Sequence, residues 1–327
     1  MNKIYLVGEP NDFTGWGILI HHLNLHLKEF CEVVLIIQPD KLEFDAPVFI
    51  PIPNSDLAPY YDIKCPRMIG YGFWETLLSK EAVKNIDKYY WIFGGSDWST
   101  NKILKLTSRA SRLIQGIDFD RFKMQPYSKK EGFHVFTGGK FEFRKGQDIV
   151  IAVMREFMAK HQDVFLVTAW YNQWKKSLET MNESCLIDVK NPLKGLPLER
   201  IYQNGKLPNK LMPSIYAQTD IGLFPNRAEG GTNLVLMEYM RCYRPVIASY
   251  ATGQKDVLDG PGPIRIITGL YDQEDRFHPN LVEIYDKLEE SYQNRDIIQE
   301  QAFFCQKLIE PFTWRETAKH IAQVAFG

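Results

Sequence analysis

Little in the sequence ties it to a polyanion, a membrane interior or an oxidising compartment. Basic and acidic residues nearly cancel, 39 Lys and Arg against 40 Asp and Glu, for a formal net charge of −1. No global field therefore recruits nucleic acid, which is not expected as a partner. The five cysteines, Cys31, Cys65, Cys185, Cys242 and Cys305, are scattered, odd in number and never spaced C-x-x-C. That argues against a disulfide framework and a zinc site, and suits a reducing compartment. No apolar run approaches the roughly 18 residues of a membrane span. The opening MNKIYLVGEP lacks the long apolar stretch that marks a signal peptide. There is no internal repeat and no low-complexity tract. A cytoplasmic globular protein is expected.

What is present is an alternating pattern. The chain has 327 residues, 45% apolar and 24% charged, too many for one ordinary core and enough for two domains. Short apolar runs alternate with helical patterns, which predicts a parallel α/β architecture. Strands are predicted at Lys3 to Val7, Glu32 to Gln38, Val48 to Ile52, Tyr89 to Gly94 and Arg112 to Gln115, with a helix from about Gly17 to Phe30. A second series starts near His134, with strands at His134 to Thr137, Val164 to Ala169, Asp220 to Phe224 and Pro245 to Ser249. Its helices are predicted at Gln147 to Lys160, Asn209 to Gln218 and Asn233 to Cys242, followed by helical stretches at Leu281 to Asn294 and Thr317 to Ala325. The polar, turn-like stretch between Asp118 and Gly132 marks the boundary. The expected fold is α/β with two Rossmann-like domains, residues 1–125 and 126–327, facing each other across a cleft.

The string AEGGTNLVLMEYMRCYRPVIAS, residues 228–249, carries the strongest signal. A strand leads into a glycine loop that opens a helix, and another strand follows at once. Gly230 and Gly231 allow close approach of the backbone to a ligand, and Thr232 or Asn233 can cap the helix. The free N–H groups at the helix start, aided by the dipole, suit a diphosphate. Glu238, about two turns in, can accept hydrogen bonds from ribose hydroxyls, and Glu229 from sugar hydroxyls. Taken singly, Glu238 reads more readily as an exposed helical glutamate beside a surface glycine turn; the coincidence of glycines, cap and carboxylate points to one ligand.

A second string, FTGGKFEFRKGQDIVIAV, spans residues 136–153. A strand ends at Gly138 and Gly139, Lys140 follows, and Lys145 and Gly146 open a helix. Two cations beside a glycine turn can neutralise the charge growing on a departing diphosphate. On their own, such lysines are more readily solvated surface charges. The loop DFTGWGILI sets Gly15 and Gly17 between the first strand and its helix. A dinucleotide-binding turn, with Asp40 for the ribose, is the rival there. It lacks a third glycine at the required offset, and the loop after Val7 is too long.

The 228–249 string resembles the acidic motif of retaining GT-B glycosyltransferases of family four, in which E-G-x-x-x-x-x-x-E precedes A-C-G-x-P-V-I-A-S. Two departures stand out: eight residues separate Glu229 from Glu238 where the pattern has seven, and Tyr243 replaces a glycine. The 136–153 string is similar to the family's G-R-L-x-x-x-K-G, with Lys140 in place of the arginine, keeping its charge without the bidentate fork. The resemblance implies a retaining transfer from a UDP-, GDP- or ADP-sugar bound by the C-terminal half, without cofactor or metal. It implies Lys140, Lys145 and Glu229 as catalytic residues. Donor binding falls by the same resemblance to Gly15, Gly17, Gly139, Gly230, Gly231, Thr232, Asn233, Leu234 and Glu238. The acceptor in this family is usually a growing polysaccharide or glycolipid, and a lipid acceptor would bring the protein to the inner face of a membrane as a peripheral partner.

Weaker signals accompany these. GYGFWET, residues 70–76, resembles a segment of some family members. There Glu75 would bind an acceptor hydroxyl and Trp74 would offer a flat face to a sugar ring; packing under a loop is the equal alternative. Asp118-x-Asp120 has the spacing of a metal-binding D-x-D, yet resembles the family's G-V-D-x-x-x-F interdomain junction and is expected to be structural. His21, His22 and His26 lack the glutamate of a zincin motif and are expected on a helix face. PFTWRETAKHIAQVAF resembles a closing helix that packs back on the N-terminal domain, with Trp314 as its anchor. The likeness is specific over residues 136–249 and loose before residue 112. A nucleotide-sugar epimerase or phosphorylase of the same fold, or a non-catalytic sugar-nucleotide binder, are the alternatives.

Overall fold

The computed structural model describes residues 2–38, 43–126 and 131–327. Asp40, the ribose partner of the dinucleotide alternative, lies outside the described residues. Two six-stranded parallel sheets organise the chain. The first contains β1 (Lys3–Val7), β2 (Glu32–Ile36), β3 (Val48–Pro51), β4 (Met68–Gly72), β5 (Trp91–Gly94) and β6 (Ala110–Arg112), in the order β2-β1-β3-β4-β5-β6. The second contains β7 (Phe133–Gly139), β8 (Val164–Trp170), β9 (Ile201–Gln203), β10 (Ile221–Phe224), β11 (Val246–Ser249) and β12 (Ile264–Ile266), in the order β12-β11-β10-β7-β8-β9. A small antiparallel pair, β13 (Gly269–Tyr271) and β14 (Phe277–Pro279), stands apart. Phe133 to Gly138 and all of β10 and β11 are buried, as continuous apolar strands covered on both faces require. The α/β class read from the alternation is the observed one.

The chain divides into two compact units that are each discontinuous in sequence. One comprises Met1–Asp118, Glu229–Leu234 and Pro311–Gly327; the other comprises Phe119–Ala228 and Val235–Glu310. In the first unit, Leu19, Leu23 and Leu27 form a core with Trp314, Ala318, Ile321 and Ala325 of the Trp314–Phe326 helix. His22 is buried and stacks on Trp314 with ring centroids 4.8 Å apart, so it is a packing residue. Gly116 permits this approach, since a Cβ there would stand 2.1 Å from the Trp314 nitrogen. Arg67 donates to the carbonyl of Ala325 at 3.0 Å, near the end of that helix, where a cation is favoured. In the second unit, Ile149, Val150, Met154 and Phe157 of the Gln147–Lys160 helix pack with Val135, Leu166, Ile221 and Ile247.

Local differences from the sequence reading have simple causes. The first helix spans Gly15–His26 because Thr14 caps it, its hydroxyl accepting from the Gly17 nitrogen at 3.0 Å. Gly15 and Gly17 are thus helical first-turn residues and not loop residues. Ser96 caps the unpredicted helix Asp97–Leu104 through the Ser99 nitrogen. All five cysteines are free, with Cys31, Cys242 and Cys305 buried and Cys185 exposed. Among the described residues, no helix is long and apolar enough to cross a membrane.

Candidate active site

The second sheet changes direction between β7 and β10: β8 and β9 lie on one side, β11 and β12 on the other. In open α/β sheets, ligands bind outside the carboxyl ends of the strands at this point. Gly139 and Lys140 leave β7 there, and Pro225 to Ala228 leave β10. Gly139 has φ +112° and Gly146 φ +73°, both suited to glycine. A Cβ on Gly146 would stand 2.3 Å from the Pro225 carbonyl oxygen. The stem of Lys145 runs beside Gly139, its Cδ and Cε each 3.8 Å from where a Cβ would lie. The structure therefore brings Gly139, Lys140 and Lys145 to one edge.

At that edge sits a buried carboxylate absent from the sequence reading. Glu142 is 4% exposed. One oxygen lies 2.6 Å from an Arg144 Nη atom and 3.3 Å from Lys140 Nζ, and the other accepts from the Ser177 hydroxyl. Burial alone would push its pKa up. Arg144, then Lys140, the Ser177 hydroxyl and Lys145 outweigh that and hold it at about 2, so it is a carboxylate at neutral pH. Arg144 also donates to the Ala228 carbonyl at 3.1 Å. Both residues are visible in the string K-F-E-F-R-K, but charges in a βα loop read as solvated, and their burial depends on Ser177 and Ala228, remote in sequence.

A second ionic pair braces the same turn. Arg227 and Asp148 are 4% and 0% exposed and meet through two parallel bonds of 2.8 Å. Arg227 also donates to the Phe143 carbonyl at 2.6 Å, and its guanidinium lies 3.7 Å from the centre of the Phe143 ring. Ser184 completes the set, donating to Asp148 at 2.7 Å. Arg227 was not singled out in the sequence, since its partners lie about 80 residues away.

Glu238 lies in the Leu234–Arg241 helix and is 2% exposed, neither a surface residue nor an open one. Asn209 Nδ2 donates to one of its oxygens at 2.7 Å and the Tyr216 hydroxyl to the other at 3.3 Å, while Arg121 donates to Asn209 at 2.6 Å. Burial, followed by the negative charge of Glu238, drives the Tyr216 hydroxyl well above its usual pKa.

The loop Glu229–Leu234 clusters with the first unit. Glu229, Thr232 and Asn233 are buried, and Asn233 has φ +65°. Gly230 packs on the main chain of Phe73 and Trp74: a Cβ would stand 2.5 Å from both the Phe73 carbonyl carbon and the Trp74 nitrogen. Its carbonyl accepts from the Ser96 hydroxyl at 2.8 Å. A Cβ on Gly231 would meet the Phe73 ring at 2.8 Å. Packing within this unit is therefore reason enough for both glycines. Trp74 corrects its expected role. It is 2% exposed, in a core with Val48, Ile50 and Ile52, and its Nε1 donates to the Asn54 carbonyl at 3.0 Å, so no face is open to a sugar ring. Glu75 beside it is half-buried. Asp118 and Asp120 fall at the division between the units, and among the described residues no group of three or more His, Cys, Asp or Glu is placed to hold a metal.

Residues 132–285, which include this whole carboxyl edge and Glu238, match the family described as glycosyl transferases group 1. Over this stretch, just under half of its length, the chain is similar to that family. The whole chain is also similar in structure to HepE from Anabaena, solved with UDP and glucose. That match has a TM-score of 0.72 at 13% identity and covers 99% of each chain. A glycosyltransferase from Rickettsia africae gives 0.68 at 11% identity over 99% of this chain and 97% of that one. A trehalose-6-phosphate synthase, whose structure concerns glycosyl transfer with retention, gives 0.63 at 13% identity over 94% and 78%. Identities this low speak for the fold, which is GT-B. No curated protein sequence matches the chain. Lys140 and Lys145 thus lie within the segment that the family match covers.

Proposed function

We propose that this glycosyltransferase moves a sugar from a nucleotide-diphosphate sugar to a glycan or lipid-linked acceptor, with retention and without a metal. The observation that carries the reading is the charge at the edge of β7. Lys140, Arg144 and Lys145 act on one carboxylate, Glu142, which gathers a cluster of cationic side chains beside a glycine turn. That is the complement of a diphosphate whose negative charge grows as the sugar departs, and fixed charges of this kind stabilise the transition state. The leaving diphosphate takes the proton of the acceptor hydroxyl in a front-face displacement, and Lys140 and Lys145 hold its oxygens. Glu238, fixed by Asn209 and Tyr216, is by the family resemblance the candidate acceptor for a ribose hydroxyl. By the family resemblance, Gly139, Gly230, Gly231, Leu234, Gly15 and Gly17 are the remaining candidate donor residues, and Glu229 is the candidate sugar contact. Glu75 remains an acceptor contact in this proposal.

Retention is supported by the likeness to the trehalose-6-phosphate synthase, and UDP as the first nucleotide to try by the HepE complex. Five free cysteines accord with a cytoplasmic site of action, at the inner membrane face where the acceptor is lipid-linked. The test is a thermal-shift and calorimetric panel of UDP-, GDP- and ADP-sugars. One of them at about 100 times its Kd should stabilise the protein by about 2.7 kcal/mol. The anomeric configuration of the transfer product, read by NMR, should equal that of the donor. Absence of binding across the panel, an inverted product, or activity abolished by a chelator and restored by a divalent ion would each refute the corresponding part.

A further inference from the structure

The carboxylate of Glu142 is an oddity in an anion site. It lowers the attraction for a diphosphate, so what it contributes has to be geometry and not affinity. Lys140 is a point charge on a flexible stem, without the planar fork that would orient an arginine, and its side chain is 39% exposed. Left alone, its ammonium would be spread over several rotamers. It is instead held at both ends. The Gln147 side chain donates to the Lys140 carbonyl at 2.7 Å. Glu142 lies 3.3 Å from the ammonium, and the Trp174 ring centre lies 5.2 Å from it. Glu142 is itself immobilised, with its side chain 6% exposed, by Arg144 at 2.6 Å and by the Ser177 hydroxyl. Arg144 is anchored in turn on the Ala228 carbonyl.

We propose that Glu142 is a positioning residue for Lys140, fixing the ammonium where the leaving diphosphate develops charge. The inference rests on the function proposed above. It makes opposite predictions for binding and for turnover. Glu142→Gln removes a negative charge, so UDP should bind as tightly as to the wild type or more tightly. Turnover should fall by up to roughly 100-fold, the effect of a misplacement of about 1 Å. Glu142→Asp, which keeps the charge one methylene shorter, should recover part of it.

The experiment measures UDP affinity by calorimetry and nucleotide release from the turned-over donor sugar. The proteins are wild type, Glu142→Gln, Glu142→Asp, Lys140→Ala and the Glu142→Gln/Lys140→Ala double variant, with melting temperatures as the folding control. In the Lys140→Ala background, Glu142→Gln should cause no further loss of turnover, because the group it positions is gone. Losses that multiply in the double variant would overturn the proposal, as would a Glu142→Gln protein that loses UDP affinity and turnover together. Should Glu142→Gln fail to fold, Ser177→Ala, which removes one of the tethers of Glu142, gives the same test at smaller amplitude. A wild-type protein that binds neither UDP, GDP nor ADP would sink the proposed function and this inference with it, whereas binding with multiplicative losses sinks only this one.

Discussion

Replacing Arg227 by Met is the sharpest probe of how the second unit supports its catalytic edge. The guanidinium is 4% exposed, makes two 2.8 Å bonds to the fully buried Asp148, and donates to the Phe143 carbonyl at 2.6 Å. Methionine fills much of the same space but leaves the Asp148 carboxylate with only Ser184 among these partners. Removing one member of a buried pair typically costs about 3–5 kcal/mol, because the other charge stays desolvated without its counterion. For a unit of this size each kcal/mol lowers Tm by about 2–4 °C, so the variant should melt roughly 6–20 °C below the wild type. Combining it with Asp148→Asn should recover part of the loss, since the stranded charge is then gone. Differential scanning calorimetry measures both. Because Arg227 also holds the turn that carries Arg144 and Lys145, UDP affinity should fall in parallel. An Arg227→Met protein that melts within a degree of the wild type would refute the claim that this buried pair is structurally decisive.

Lys145→Ala should lower kcat roughly 100-fold or more with the melting temperature little changed, the loss expected for an electrostatic stabiliser; an unchanged rate would remove Lys145 from the mechanism. Acid unfolding should show the trace of Glu142, whose pKa is lowered from 4.5 to about 2 in the folded chain. A depressed carboxyl contributes stability above the unfolded value and loses it as pH falls from about 4.5 toward 2, about 3 kcal/mol in all. Urea titrations across that range should be flatter for Glu142→Gln than for the wild type, and identical slopes would contradict the shift. Trp74→Ala should destabilise the first unit by about 3–5 kcal/mol in urea unfolding, as truncation of a buried Trp does; a stable variant with a raised KM for acceptor alone would return Trp74 to the acceptor site.

The elements legible in the sequence are those whose signal is local. Lys3 to Val7 and Gln147 to Lys160 match the observed strand and helix to the residue, because an apolar run and a helical period need no distant partner. β4 was hidden because Met68 to Gly72 carries two glycines, which read as loop. Gly70 is buried where a Cβ would stand 2.3 Å from Ile52 and 2.9 Å from Tyr89, a requirement set by residues on other elements. At the candidate site, the glycine turns and lysines were visible through their resemblance to a family pattern. Glu142 and Arg227 were not, since what makes each important is a partner 35 and 79 residues away. Trp74 failed in the opposite direction: an aromatic beside a glutamate looks like a sugar platform until the strands around it close over the ring.

The first unit is assembled from the two extremes of the chain, with Leu19 and Leu23 resting against Ala318 and Ile321 some 300 positions later. During synthesis its sheet, complete at Arg112, can form long before the Trp314–Phe326 helix that seals it has left the ribosome, so the apolar face it covers stays bare while the intervening residues are made. Truncations at the carboxyl terminus should therefore be felt at the amino-terminal end of the protein, and chaperone dependence should concentrate on the half that is made first.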